Sequence, residues 1–187
     1  MMKKSERNPR DKSASDIRQT YLPAGFGPKV WMSGDEYQIL LDAQNSGNTM
    51  TLIEALIPPG SGPPMHQHSN VDELFFVQTG ELDIMVDAVV YQVKAGGRVF
   101  VKRGVPHAFV NRSDQAASML IFYTPGGIEE FFLAAGRPVV DGVTPPAATE
   151  DSLAREIKIA SYHQTHQEMP TDGDVAARSI VGRGTNG

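Results

Sequence analysis

Gly60-Ser-Gly-Pro-Pro-Met-His66-Gln-His68-Ser-Asn-Val-Asp-Glu73-Leu-Phe-Phe-Val77 decides how this chain is read. His66 and His68 are two residues apart, so on an extended strand both side chains point to one face. Glu73 opens the apolar run that follows. A second segment, Gly104-Val-Pro-His107-Ala-Phe-Val-Asn111, brings a third imidazole from a distant part of the chain. Three imidazoles and one carboxylate make a ligand set for a divalent first-row metal. The chain has 5 His in 187 residues, so three of them in two glycine-framed segments are poorly explained as scattered surface histidines. The other two, His163 and His166, read as a solvent-exposed pair.

Around these segments the sequence is a series of short apolar runs. They are Val30–Met32, Tyr37–Leu41, Met50–Ile57, Glu73–Thr79, Glu81–Val86, Val89–Val93, Arg98–Val101, His107–Val110 and Ser118–Tyr123. Gly, Pro, Asn or Asp punctuates each, and such spacing predicts a β-sandwich or barrel. Glu54, a charge inside an apolar run, is expected to face solvent. Asp72 should point away from Glu73 by strand alternation. After Thr124-Pro-Gly-Gly127 the pattern changes. Residues 128–135 predict a short helix whose Ile128, Phe131, Phe132 and Ala135 pack back on the strands. Glu150–His163 predicts a second helix, capped by Thr149 or Asp151, with Leu153, Ile157 and Ala160 in one stripe. Residues 1–20 and 171–187 read as mobile tails.

Composition narrows the function classes. A chain that is 40% hydrophobic can bury one good core. No apolar stretch is long enough for a transmembrane helix. No apolar run follows the N-terminal charges, so a secretory signal is not expected there. The chain has no Cys, which excludes disulfides and thiolate metal ligands, and a cytoplasmic location is the expectation. The formal net charge of −5 argues against nucleic acid as a main partner. The first eighteen residues run the other way, with Lys3, Lys4, Arg7, Arg10, Lys12 and Arg18 against Glu6, Asp11 and Asp16.

The two segments resemble the paired motifs of the cupin superfamily. The first motif is Gly, five residues, His-x-His, three or four residues, Glu, six residues, Gly, and Gly60, His66, His68, Glu73 and Gly80 meet every spacing. Gly96, Gly104, His107 and Asn111 match the second motif. Lys102 stands where the family has Pro, and Gly97 where an Asp usually follows the first Gly. Neither departure touches a ligand, but the loop near the site loses a proline-fixed φ. The resemblance implies an all-β fold, the double-stranded β-helix or jelly-roll barrel, over residues 29–124. A short helical C-terminal extension over 125–170 would pack on it.

A closer resemblance, to small single-domain cupins related to quercetin 2,3-dioxygenases, also rests on Pro125-Gly-Gly-Ile-Glu-Glu-Phe-Phe132. It implies Mn, Fe, Ni or Co, with Zn as a further candidate, held by His66, His68, Glu73 and His107. It implies a small flavonol-like substrate bound through its enol hydroxyl, Glu73 as the catalytic proton acceptor, and ring cleavage by O₂. A metal-dependent lyase or isomerase and a non-catalytic metal or small-ligand binder stay open beside it. Strand parity points Phe75, Val77 and Phe109 inward with the ligands, and Val99 and Val101 toward the opposite wall. These five are the expected substrate-binding lining, though the same side chains also serve to fill a small barrel. A homodimer is expected, with Val30-Trp-Met32 and Tyr37–Leu41 packing across a two-fold axis to cover strand edges. Neither nucleic acid nor a membrane is expected as a partner.

Overall fold

The computed structural model describes residues 17–163 and 165–167. Twelve strands form among them: β1 (Lys29–Met32), β2 (Asp35–Leu41), β3 (Thr51–Ile57), β4 (His66–His68), β5 (Asp72–Thr79), β6 (Glu81–Val86), β7 (Val89–Lys94), β8 (Arg98–Val101), β9 (His107–Val110), β10 (Ala117–Thr124), β11 (Arg137–Pro138) and β12 (Thr165–Gln167). Three helices join them: α1 (Ala43–Ser46), α2 (Glu129–Ala135) and α3 (Glu150–Ala160). The expected tails lie outside the described residues except for residues 17–20. No described helix is long and apolar enough to cross a membrane.

The strands make two sheets. One has seven strands in the order β11-β1-β2-β3-β10-β5-β8, the other five in the order β12-β4-β9-β6-β7. The all-β barrel read from the sequence is therefore present. Period-two patterning drives it: in β3, Thr51, Ile53, Ala55 and Ile57 are buried while Leu52, Glu54 and Leu56 face out, and β10 repeats the pattern. The inner faces meet around Ile53, Ile57, Phe75, Val77, Leu82, Ile84, Met119 and Ile121, each almost fully buried. Burying an aliphatic or aromatic side chain of this size stabilises the fold by roughly 1.5–3 kcal/mol.

Val30, Trp31, Met32, Tyr37 and Ile39 are buried within the chain itself. Strand β1 is covered along its outer edge by β11, through the pairs Val30↔Pro138 and Trp31↔Arg137. The segment expected to cross a two-fold axis thus belongs to the chain's own core. Glu129, on α2, ties the extension to the barrel. Its carboxylate accepts from the Ala43 and Gly127 amides and from the Thr51 hydroxyl. Arg155 of α3 donates to the carbonyls of Ala134 and Ala135 at the end of α2. Thr149 is the cap of α3, bonding reciprocally with Ser152.

Two glycines in the motif region have a steric reason. Gly62 has φ +144°, and a Cβ there would lie 2.0 Å from the Phe109 carbonyl oxygen. At Gly97 a Cβ would lie 2.7 Å from Val93, which is why the larger residue usual in the family has no room here.

Candidate metal centre

Strand β4 carries His66 and His68 on its inner face, both buried. Its pairing with β9 sets His66 opposite His107. Strand β5 brings Glu73 across the barrel from the other sheet. One ligand atom from each of these four residues falls within 4.8 Å of all the others. Donors sharing one ion at about 2.0–2.2 Å must lie within roughly 4.4 Å of each other. The cluster is therefore within a few tenths of an ångström of a coordination sphere.

The imidazoles are oriented by what their other nitrogen does. His66 Nδ1 donates to the Pro64 carbonyl at 2.9 Å, and His107 Nδ1 to the Val105 carbonyl at 2.9 Å. A carbonyl only accepts, so both rings carry hydrogen on Nδ1 and leave a lone pair on Nε2. His68 Nδ1 meets the Thr165 hydroxyl at 3.0 Å, and that hydroxyl has the His163 carbonyl within reach for its own hydrogen. Thr165 is fully buried. It arrives on β12, whose three residues pair with the whole of β4. The loop that carries His107 is also fixed. Gly104 N donates to the His68 carbonyl, and Arg103 makes a bidentate pair with Asp72 at 2.9 Å on each arm. Val105 N donates to the Lys102 carbonyl, so the turn closes without the family's proline.

Glu73 Oε2 lies 2.7 Å from His107 Nε2 and 3.5 Å from His68 Nε2. All three atoms are buried without a hydrogen-bond partner. Acceptors that converge in this way need an extra proton on His107 or a cation between them. The donor set suits a divalent first-row metal.

Burial opposes charge on Glu73, but the facing His107 and the contacts with His107 and His68 outweigh it and hold the carboxyl below the usual range. Burial likewise lowers His107, and the charge and close contact of Glu73 outweigh it, leaving His107 raised. His66 is pushed well down by burial and then by His107 and His68, so it stays neutral. The sign of the pH dependence follows. Between the ordinary imidazole value of about 6.5 and the raised His107 value, the metal-free site holds a proton on His107. The Glu73–His107 pair stabilises the metal-free fold in full below the ordinary imidazole value, and this contribution is lost as pH rises through the raised value. A metal must displace that proton, so its affinity is expected to rise with pH and level off above the raised His107 value. Calorimetric titration in buffers of different ionisation enthalpy checks this: proton release on metal uptake at the lower pH, and none well above.

A narrow cavity with about 20 Å³ of room for water-sized groups adjoins His66, His68 and Glu73. Phe109 lines it. Phe75, Val77, Val99 and Val101 do not, and the expected lining is corrected on this point. They do face inward as strand parity requires, but Phe75 stacks edge-on against His107 and Phe109. Val99, half-buried, and Val101, buried, pair with Phe75 and Glu73 from β8. The cavity wall is instead made by Met32, Tyr37, Ile121, Tyr123, Phe131 and Phe132. Tyr123 is the cross-strand partner of Glu73, its hydroxyl is close enough to that carboxylate to feel its charge, and its ring stands edge-on to His68. Burial, and then the Glu73 charge, raise the Tyr123 phenol well above its ordinary value. Tyr37 donates to Asp35 at 3.0 Å.

Other sequence candidates fall elsewhere. Asn111 is buried and holds the 111–115 turn through the Ile57 and Gln115 carbonyls. Met65 turns to an outer cleft with Met85 and Val90. Glu54 lies on the outer face of its sheet. His163 sits 6.1 Å from Phe131, and the side chain of His166 lies outside the described residues.

Residues 53–123 match the family model described as a cupin domain, and the matched stretch holds all four converging residues. Over that stretch the barrel of this chain is similar to a cupin domain. An uncharacterized protein of Methanocaldococcus jannaschii is 28% identical over 65 residues, which are 35% of this chain and 52% of that protein. The chain thus spans about half the length of that curated relative. A protein of Thermotoga maritima described as a predicted oxalate decarboxylase superposes with a TM-score of 0.51 at 21% identity, over 57% of this chain and 99% of that one. An RmlC-like cupin of Shewanella frigidimarina superposes with a TM-score of 0.50 at 18% identity, over 60% and 96%. At these identities the two structures speak for the cupin fold alone.

Proposed function

We propose that this cupin is a metal-dependent enzyme, a dioxygenase that acts with O₂ on a compact enol-bearing substrate. The observation that carries the reading is the convergence of His66, His68, Glu73 and His107, with His66, His68 and Glu73 lining a narrow, largely aromatic cavity. Mn, Fe, Ni or Co, or else Zn, is the proposed cofactor, and when bound it would supply Lewis-acid polarisation of the enol and a point of approach for O₂. Glu73 is the residue that accepts the enol proton. Its carboxylate is kept ionised by the neighbouring imidazoles and oriented by Tyr123. Tyr37, Phe131 and Phe132 exclude water from the reacting face. The free space admits one or two water-sized groups. A one-ring substrate therefore fits better than a flavonol, and either requires α2 to move outward.

A second reading, a metal-dependent lyase or isomerase, draws on the Tyr123–Glu73 pair. A protonated phenol beside an ionised carboxylate is an acid and a base at one carbon's reach, which enolisation uses without O₂.

Turnover of small enol-bearing aromatics and small hydroxy and oxo acids, with and without O₂, separates the readings. The expectation is oxygen uptake matched to product, and no reaction under nitrogen. Glu73→Gln is expected to lower kcat about 10²–10⁴-fold after correction for metal content. Anaerobic turnover at an equal rate supports the lyase or isomerase instead. Tight reversible binding without turnover supports a binding protein.

A further inference from the structure

Trp31 is the single Trp of the chain, and it stands apart from the barrel core. Val30 and Met32 on either side of it join the core cluster, so by strand alternation Trp31 points to the outer face of β1. It is nevertheless only 8% exposed, and its indole N–H is buried with no hydrogen-bond partner among the described residues. A buried donor left unpaired is costly, and the missing acceptor has a place to sit. Trp31 lines a pocket between β1, the end of α2 and α3. This pocket has about 100 Å³ of room for water-sized groups, against about 20 Å³ beside the metal ligands. One water takes roughly 10–15 Å³ on this measure, so a molecule of several heavy atoms fits.

The charges around the pocket favour an anion. Arg137 is the cross-strand partner of Trp31, which puts both side chains on one face, and both line the pocket. The Arg137 guanidinium is exposed and makes no ion pair among the described residues. Arg155 lines the pocket from α3, held by the Ala134 and Ala135 carbonyls. Against these two cations stands one lining carboxylate, Glu156, whose oxygens already accept from the Ser33 amide and hydroxyl. Burial raises the Glu156 carboxyl above its usual range, which weakens its repulsion of an anion.

We propose that this pocket is a second binding site, for a small planar carboxylate. One carboxylate oxygen accepts from the Trp31 indole N–H, and the group pairs with the Arg137 fork. Met32 lines both this pocket and the cavity beside the metal ligands, so one side chain parts the two spaces. The site does not rest on the reaction proposed for the metal centre.

Titration of the full chain with sodium benzoate tests the proposal, with the indole N–H resonance of Trp31 as reporter. A single Trp gives a single such resonance. It is expected to move downfield and to saturate, because the hydrogen bond forms on that nitrogen. Benzamide keeps the shape and the acceptor but lacks the charge, and is expected to bind the wild type about tenfold more weakly or worse. Arg137→Gln is expected to weaken benzoate about 10–100-fold. The fold should survive that change, because Arg137 is exposed and is held in β11 by backbone pairing. His68→Ala, which disables the metal centre, is expected to bind benzoate as the wild type does. An indole resonance that benzoate leaves in place overturns the proposal. So does benzamide that binds as tightly as benzoate, or Arg137→Gln with wild-type affinity. Loss of benzoate binding in His68→Ala also overturns it, since the ligand then sits at the metal centre.

Discussion

His68→Ala is expected to purify folded with almost no metal, where the wild type carries about one divalent ion per chain. The side chain is buried on a three-residue strand whose neighbours hold it by backbone bonds, so removing the ring leaves β4 paired with β12. What is lost is one of three Nε2 lone pairs. Changing a residue that merely supports a ligand costs about 10–100-fold in metal affinity, and deleting the ligand itself must cost more. Elemental analysis of protein prepared without chelators reads the result, with His163→Ala as the control because His163 is outside the cluster. A folded His68→Ala protein with unchanged stoichiometry refutes the assignment of His68 as a ligand. The four-residue site then needs another explanation for its orphaned acceptors.

The parts of this site that the sequence displayed are those set by local periodicity. Two histidines at a spacing of two had to share a face if the strand was extended, and they do. Glu54 faces out and Phe75 faces in for the same reason. Phe131 and Phe132 belonged to a helical stripe that had to bury itself, and its target proved to be the cavity wall. Parity, however, gives a direction and not a depth. Phe75, Val77, Val99 and Val101 point inward yet do not line the cavity, because their place along the barrel depends on register between strands. The same lack hid Tyr123. Its position opposite Glu73 follows from the β10–β5 register, which no local pattern encodes. The Val30–Met32 run looked like surface in need of cover, and the residues that cover it, Arg137 and Pro138, come about a hundred positions later.

Thr165 is the extreme of that problem, and it leads to the second large effect. It lies 97 positions from His68, in the stretch expected to be a helical extension. His66 and His107 are held by carbonyls of their own segments, so their orientation survives changes elsewhere. His68 alone depends on a side chain from the C-terminal extension. Thr165→Val keeps the shape and the β12 backbone pairing but removes the acceptor for the buried Nδ1–H. An unsatisfied buried donor costs about 1–3 kcal/mol, and the ring is free to turn or to move its hydrogen to Nε2, where it blocks the metal. Metal affinity is therefore expected to fall about 10–100-fold. At saturating metal, a 100-fold loss removes about 2.7 kcal/mol of ligand-linked stability. For a chain of this size that shrinks the metal-induced rise in melting temperature by roughly 5–10 °C. Thr165→Ser restores the hydroxyl and is expected to bind metal nearly as the wild type does. Competitive metal titration and thermal melts on the three proteins decide the matter. Equal affinities for Thr165→Val and wild type would mean that the extension does not position His68 and that β4 and β9 hold the ligand unaided.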